Sequence, residues 1–422
     1  MNDNKTNPYT DNYMISFNQA NQLVIENSPL LNSETISLSM ASNRVLSEAL
    51  ISPASVPSFD NSAMDGYAVN SEDLITATKD NPVCLELAGI TAAGDISDYN
   101  QVTKGRAWKI MTGAPVPDGF NSIIPVENTQ LSADKVTCFS SPEKGAHVRL
   151  KGQDFKSGDP ILNQGRIINS NGVMACAALG VDEIQVYKKP SIAIFSTGKE
   201  LVDDPKTPLK LGQIRNSNKP FIQNWLSNLP IELIDAGTNH DQVEDFENDL
   251  QAQLDSGTHI IISTGAVSMG DFDFIPQTII KLGGEIIFHK AKIRPGKPIL
   301  FAKFPNGTLY FGLPGNPISA AIGLRFFVSS AIMTMLGLAP ELPLATIANN
   351  AVNKKKGFRA ILKGNAQIND QAQHETAILE GQQSFKIHSL LNANGWAVIG
   401  EDKDDLKQGD SLDFYPTLLN WE

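Results

Sequence analysis

The sequence predicts a multidomain chain of the α/β plus β class. A central, mostly parallel α/β domain is flanked by an N-terminal helical region carrying a β insertion and by a small C-terminal β domain. Three observations carry this reading. Between about residues 187 and 337, apolar strand-like runs alternate with helical patterns, as a parallel sheet covered by helices requires. Short β-rich runs punctuated by Gly, Pro, Asn and Asp occur before that stretch and return after it. The length, 422 residues, suits two to four domains at roughly 100–200 residues each.

The first ten or so residues, rich in Asn, Asp and Thr, read as a disordered tail. Apolar residues near helical spacing predict helices over Met14–Asn27 and Thr35–Ala49. From Pro53 the texture changes. Val83–Leu87, Ala107–Met111, Ser122–Val126 and Lys135–Phe139 read as strands of an inserted β domain over 56–144. Asn171–Leu179 predicts a helix closed by Gly180, so that 1–55 and 145–186 form one linker-like helical domain. The α/β domain, 187–337, draws its strands from Ser191–Ser196, Glu232–Asp235, His259–Ser263, Glu285–His289, Ile299–Lys303 and Leu309–Leu313. Helical patterns lie at Ile214–Asn228, Gln242–Asp255 and Pro317–Leu336. Leu338–Pro343 opens a terminal β domain over 338–422.

Composition narrows the function. A formal net charge of -12 argues against nonspecific nucleic-acid binding, while leaving room for a locally basic pocket that takes a small anion. Cys84, Cys138 and Cys176 lie far apart and form no CxxC pair, and the six histidines show no zinc-type spacing. The N-terminus lacks an apolar signal core, and Phe326–Leu338 is too short and interrupted to span a bilayer. The expectation is a cytoplasmic protein with no membrane or nucleic-acid partner.

In open α/β sheets, ligands bind beyond the carboxyl ends of the strands. Ser196–Leu201, Ser263–Asp273 and Leu313–Ser319 follow predicted strands, and Arg294–Pro298 precedes one. Glycines there allow close backbone approach, while hydroxyls and amides donate to an anion. Asn316 suits an N-cap and Pro317 a first helical turn, leaving free N–H groups at a positive dipole end. Each loop alone is more often a helix cap; together they favour a phosphate-like site. Arg294 and Lys297, held between Pro295, Gly296 and Pro298, suit an oxyanion. Glu200, Asp241 and Asp273 sit just after predicted strands, and acids beside phosphate suggest Mg²⁺. In the N-terminal part, Pro57–Val69 reads as an ordered loop entering a strand, with Asp65 before Gly66.

These segments resemble the molybdopterin molybdenumtransferase family, the MoeA and gephyrin E-domain type. The motifs are FDNSAMDGYAV (59–69), MTGAPVP (111–117), GQDFKSGD (152–159), STGKEL (196–201), GQIRNSN (212–218), STGAVSMGDFD (263–273), RPGKP (294–298) and GLPGNPIS (312–319). They keep the family's order and span almost the whole chain. The resemblance implies Mg²⁺-dependent hydrolysis of adenylyl-molybdopterin, with insertion of molybdate into the dithiolene to give molybdenum cofactor and AMP. It also implies a homodimer, and dealings with the adenylyltransferase and with molybdoenzyme delivery proteins.

The resemblance further implies residue roles. Asp65, Thr112 and Asp154 would supply one side of the catalytic cleft, and Glu200 and Asp241 the other. Glu200, Asp241 and Asp273 would hold the metal. Ser268, Arg294, Lys297, Pro298, Pro314, Gly315, Asn316, Ser319 and Ser384 would surround molybdate or the pterin phosphate. The C-terminal domain departs from the family's pattern. Lys363 stands where an arginine is usual and is expected to face the oxyanion; Gln383 stands beside Ser384 where glycine is usual, and is expected to be strained if the turn needs positive φ. Two alternatives stay open. One is a molybdopterin adenylyltransferase, which shares the α/β core. The other is a non-catalytic scaffold or cofactor carrier, which those two departures would suit.

Overall fold

The computed structural model describes residues 14–95, 104–240, 242–265 and 274–419. At its centre lies a six-stranded sheet: β1 (Ser191–Thr197), β2 (Glu232–Asn239), β3 (Ile260–Thr264), β4 (Glu285–His289), β5 (Leu300–Lys303) and β6 (Leu309–Leu313). The spatial order is β2-β1-β3-β6-β5-β4. β2, β1, β3 and β6 are parallel, and β5 runs antiparallel between β6 and β4. Both faces are buried, which is why these strands read as near-continuous apolar runs. Ile192, Ile194, Ile260, Ile262 and Phe311 share a core with helices Asn218–Leu226 and Pro317–Met335. Ala193, Phe195, Ile261 and Tyr310 share another with helices Val243–Asp255 and Ile275–Lys281. Pro317–Met335 is apolar enough to cross a membrane, but 89% of that window is buried inside the fold, so it is a core helix.

Helix Phe17–Asn27 starts at a capping box, with Ser16 and Gln19 each accepting the other's backbone N–H. Its buried face joins the α/β core, with Phe17 packed against Phe327 at 5.4 Å between ring centroids, the rings tilted by 57°. The helix expected over Thr35–Ala49 does not form. Ser33–Ser37 is a strand paired antiparallel with Glu183–Tyr187, and Asn43 adopts a φ of 62°. Ile36, Leu38 and Leu46 pack on Ile168, Ile184 and Val186, so distant pairing overrides a local pattern rich in Ser and Thr. Helix Ser170–Ala178 forms as read, its first turn capped by Asn169. The helix expected from Ile214 starts only at Asn218, because Ile214–Arg215 pairs with Leu201–Val202. The N-terminal tail lies outside the described residues.

The inserted region forms a six-stranded sheet ordered Ser122–Pro125, Gly66–Val69, Arg106–Ile110, Val83–Thr91, Lys135–Cys138, Thr129–Ser132. The C-terminal region closes on itself. Arg359–Ile368, His374–Ile378, Leu344–Ala348, Ser411–Pro416 and Gly395–Ile399 pair in turn, and the last pairs back to the first, making a five-stranded barrel. Leu362, Ile378, Ala397, Leu412 and Phe414 share its core. Ile293–Arg294 adds to the barrel as a parallel edge strand beside Arg359–Ala360.

At the far end of the central sheet, β1 and β3 are latched through His259. Its Nδ1 accepts from the Ser191 N–H at 3.1 Å and faces the Ser191 hydroxyl at 2.7 Å. Burial pushes the pKa of the ring below 6.5, partly opposed by Glu232. A histidine depressed in the fold binds its proton more readily unfolded, so this contribution is present above pH 6.5 and is lost as pH falls below it. Between pH 7.5 and 5.5 the melting temperature should fall more in the natural protein than in His259→Asn. Equal falls would remove His259 from the acid sensitivity.

Candidate active site

Four loops meet at the carboxyl edge of the central sheet. After β1, the Gly198 N–H donates to Asn239 O at 3.0 Å, and the half-buried Glu200 carboxylate folds back over Gly198. After β2, Asn239 Oδ1 accepts from the Gln242 N–H at 3.1 Å. After β3, the Gly265 N–H donates to Leu313 O at 3.1 Å. Gly265 has φ +96°, and a Cβ there would stand 2.3 Å from the Thr197 carbonyl oxygen, so only glycine fits. After β6, Gly315 O accepts from the buried Asn218 Nδ2 at 2.9 Å, which ties the GQIRNSN and GLPGNPIS motifs together. Asp241, Ser268 and Asp273 lie outside the described residues.

The helix opening at Pro317 departs from expectation in two ways. Asn316 occupies the N-cap position, but its side chain makes no capping bond. The Ile318 N–H is not free for a ligand; it donates to Ser384 O of the C-terminal domain at 3.0 Å. Pro314 and Ser319 are buried, and Gly315 and Asn316 are exposed.

Beside that contact opens a cavity of about 610 Å³, walled by Arg294 and Pro295 from the α/β side and by Phe358, Leu362, Gln383 and Ser384 from the barrel side. The Arg294 side chain is exposed and has no hydrogen-bond or ion-pair partner among the described residues. The other wall cations are engaged. Lys354 Nζ donates to Phe358 O at 2.9 Å and to Glu401 O at 3.2 Å, and Lys355 Nζ stands 5.0 Å from the Phe358 ring centroid. Lys297 is exposed and Pro298 half-buried in the turn next to Arg294, outside the cavity wall.

Lys363 does not face this cavity. It is fully buried, and its Nζ donates to Gly381 O at 2.6 Å and Lys386 O at 3.0 Å. Burial, reinforced by Lys386, pushes its pKa below the ordinary lysine value. The expected oxyanion-facing role is corrected: Leu362 occupies the cavity side of the strand, and period-2 alternation turns Lys363 away. The expected strain at Gln383 is absent as well, because the left-handed position of the turn falls on Gly381, at φ 73°.

The N-terminal motifs form a second cluster. Asp65 Oδ1 accepts from the Thr112 N–H at 2.7 Å and the Thr112 hydroxyl at 2.8 Å. These two bonds, the backbone one first, hold the Asp65 carboxyl below the usual carboxylate range, so it is ionised at neutral pH. Both residues are exposed. Asp154 is exposed nearby in the motif order, its N–H donating to Val56 O at 3.0 Å, and Asp60 Oδ1 accepts from the Lys151 N–H at 2.7 Å. FDNSAMDGYAV, MTGAPVP and GQDFKSGD thus knit into one surface. Among the described residues no hydrogen bond or shared cavity joins this surface to Glu200 or Arg294.

Sequence reasoning passed over Asn218 and Gln382. Asn218 ends a motif that had been recognised, so its signal was present. Gln382 Nε2 donates to Lys363 O at 2.9 Å and Leu379 O at 2.7 Å, a role that no local pattern announces.

A parallel α/β core with anion-type loops at its carboxyl edge, an acid-bearing β insertion and a barrel that closes a cation-lined cavity define a multidomain enzyme-like chain built around small-anion chemistry. Residues 15–180 match the family described as MoeA N-terminal region (domain I and II), and residues 193–334 the one described as probable molybdopterin binding domain. The chain is 34% identical to the molybdopterin molybdenumtransferase of Synechococcus elongatus, over 92% of this chain and 93% of that one. It is 33% identical to that of Haemophilus influenzae, over 96% and 98%. A solved structure of the molybdopterin biosynthesis MoeA protein from Pyrococcus horikoshii OT3 superposes with a TM-score of 0.83 at 26% identity, covering 96% of this chain and 100% of that one. The chain belongs to the molybdopterin molybdenumtransferase family.

Proposed function

We propose that this protein, whose relatives are named molybdopterin molybdenumtransferase, releases AMP from adenylyl-molybdopterin and inserts molybdate into the dithiolene. The observation that carries the reading is the Arg294 guanidinium, without a partner among the described residues, in a cavity of about 610 Å³ that also presents Ser384. A planar fork of donors matches two oxygens of a tetrahedral oxyanion, so molybdate seats there as substrate. Held ionised by Thr112, Asp65 takes the proton of the water that attacks the adenylate phosphorus, and the bond to the pterin phosphate breaks as AMP leaves.

Glu200 fits a place in a Mg²⁺ site. Its carboxylate is half-buried at the strand edge with no cation partner among the described residues, and Mg²⁺ is commonly held by one or two carboxylates plus substrate phosphates. Asp241 and Asp273 would complete the set. The chemistry that Mg²⁺ supplies when bound is charge neutralisation at phosphate oxygens.

That no hydrogen bond or cavity joins the Asp65 surface to Glu200 among the described residues fits a homodimer in which each site draws Asp65 from one copy and Glu200 from the other. The protein is proposed to be cytoplasmic; among the described residues its one membrane-length helix is 89% buried inside the fold. The purified protein should release AMP from adenylyl-molybdopterin in a Mg²⁺- and molybdate-dependent way, and the product should activate an apo-molybdoenzyme. Tight binding of the adenylate with no AMP release under any condition would overturn the reading.

A further inference from the structure

The Gly381–Lys386 turn is pinned from two sides. From behind, the buried Lys363 ammonium binds the carbonyls at both of its ends, Gly381 O and Lys386 O. From the side, Ser384 O accepts the Ile318 N–H of the core helix. Gln382 adds a third tie, accepting the Lys363 N–H at 2.9 Å and donating to Lys363 O at 2.9 Å. What remains unengaged is the segment that walls the cavity. The backbone N–H groups of Gln383, Ser384 and Phe385 donate to no protein acceptor among the described residues. A turn whose carbonyls are taken up by a cation behind it presents donors in front, which is the arrangement an anion needs.

We propose that Lys363 is a positioning residue for the oxyanion site. It never touches the anion, and acts by holding the turn so that Ser384 and its neighbouring N–H groups face the cavity alongside Arg294. This rests on the reading that the cavity takes molybdate. It accounts for a lysine on a barrel strand whose side chain is fully buried against two backbone carbonyls instead of reaching solvent. A displacement of about 1 Å in such a wall costs of the order of tenfold to a hundredfold in the affected step.

The test uses the full-length protein, with hydrogen–deuterium exchange over 381–387 and the molybdate dependence of AMP release measured on the same samples. Lys363→Met should speed exchange in the turn while sparing Gly395–Ile399 of the barrel. It should raise the half-saturating molybdate concentration at least about tenfold and leave the KM for adenylyl-molybdopterin within about twofold. Gln382→Ala loosens the same turn without removing the lysine and should shift both readouts in the same direction. A raised molybdate requirement with unchanged exchange would mean direct contact and overturn the proposal. So would uniformly faster barrel exchange with both substrates weakened, or a loosened turn in Gln382→Ala with unaltered molybdate dependence. If the natural protein shows no molybdate dependence, the cavity reading fails, while the exchange data still decide whether Lys363 holds the turn.

Discussion

Asp65→Asn should abolish AMP release, by at least about a hundredfold, the scale on which a positioned proton acceptor contributes. The substitution is nearly isosteric. The asparagine carbonyl oxygen can still accept from the Thr112 N–H and hydroxyl, so the loop keeps the bonds that order it. The negative charge is lost. Thr112 lowers the pKa of Asp65 by favouring the charged form, so the carboxylate is the species present at neutral pH and its charge is what the variant removes. Because Asp65 is exposed, removing its charge strands no buried partner and the melting temperature should stay within about 2 °C. AMP release and a thermal melt on one preparation decide the matter. Normal turnover in the variant would take Asp65 out of the site, and a large drop in melting temperature would make the lost activity uninformative.

Gly265→Ala should damage both fold and function. An alanine would have to hold φ near +96°, outside the region L-residues favour, with its Cβ 2.3 Å from Thr197 O and 2.9 Å from the Thr197 hydroxyl. Neither neighbour can yield cheaply. The carbonyl lies at the end of β1, and the hydroxyl donates to Thr264 O at 3.1 Å. Strain and overlap together are worth about 3 kcal/mol, enough to lower the melting temperature by several degrees and to push the β3 loop off the sheet edge. AMP release should fall more than tenfold even where the protein is folded. A variant with unchanged stability would show that the two loops do not approach as closely as drawn.

How much of this was legible beforehand depended on whether the determinant was local. Ser191–Thr197 and Ile260–Thr264 could be read directly, since strands buried on both faces advertise themselves as unbroken apolar runs. Thr35–Ala49 misled because its strand is made by Glu183–Tyr187, about 150 residues away, and nothing within the window signals that partner. Lys363 was expected to face the oxyanion, and it lies on the other side of a strand, Arg359–Ile368, that had not been read. Facing in a strand changes with each residue, and the side that meets the cavity was decided by barrel closure through Gly395–Ile399. Asp65 stood out in its motif, but its partner Thr112 lies 47 positions on, so the bond that keeps it ionised emerged only in three dimensions.

The short strand Ile293–Arg294 carries one more implication. It belongs to the α/β chain segment yet is hydrogen-bonded into the barrel, and the Arg359 N–H donates to Lys292 O at 2.8 Å beside it. A cation on an ordinary connecting loop would stay behind whenever the two lobes drifted apart. Here Arg294 is backbone-paired with the barrel beside Ala360 while Ile293 is buried in the α/β core, and Ser384 O is bonded to Ile318 of the core helix, so both walls of the cavity are fastened across the lobe boundary. On the proposed reading, the walls that meet the anion are stitched across the two lobes, so widening the cavity requires breaking backbone hydrogen bonds at Ile293–Arg294 or at Ile318.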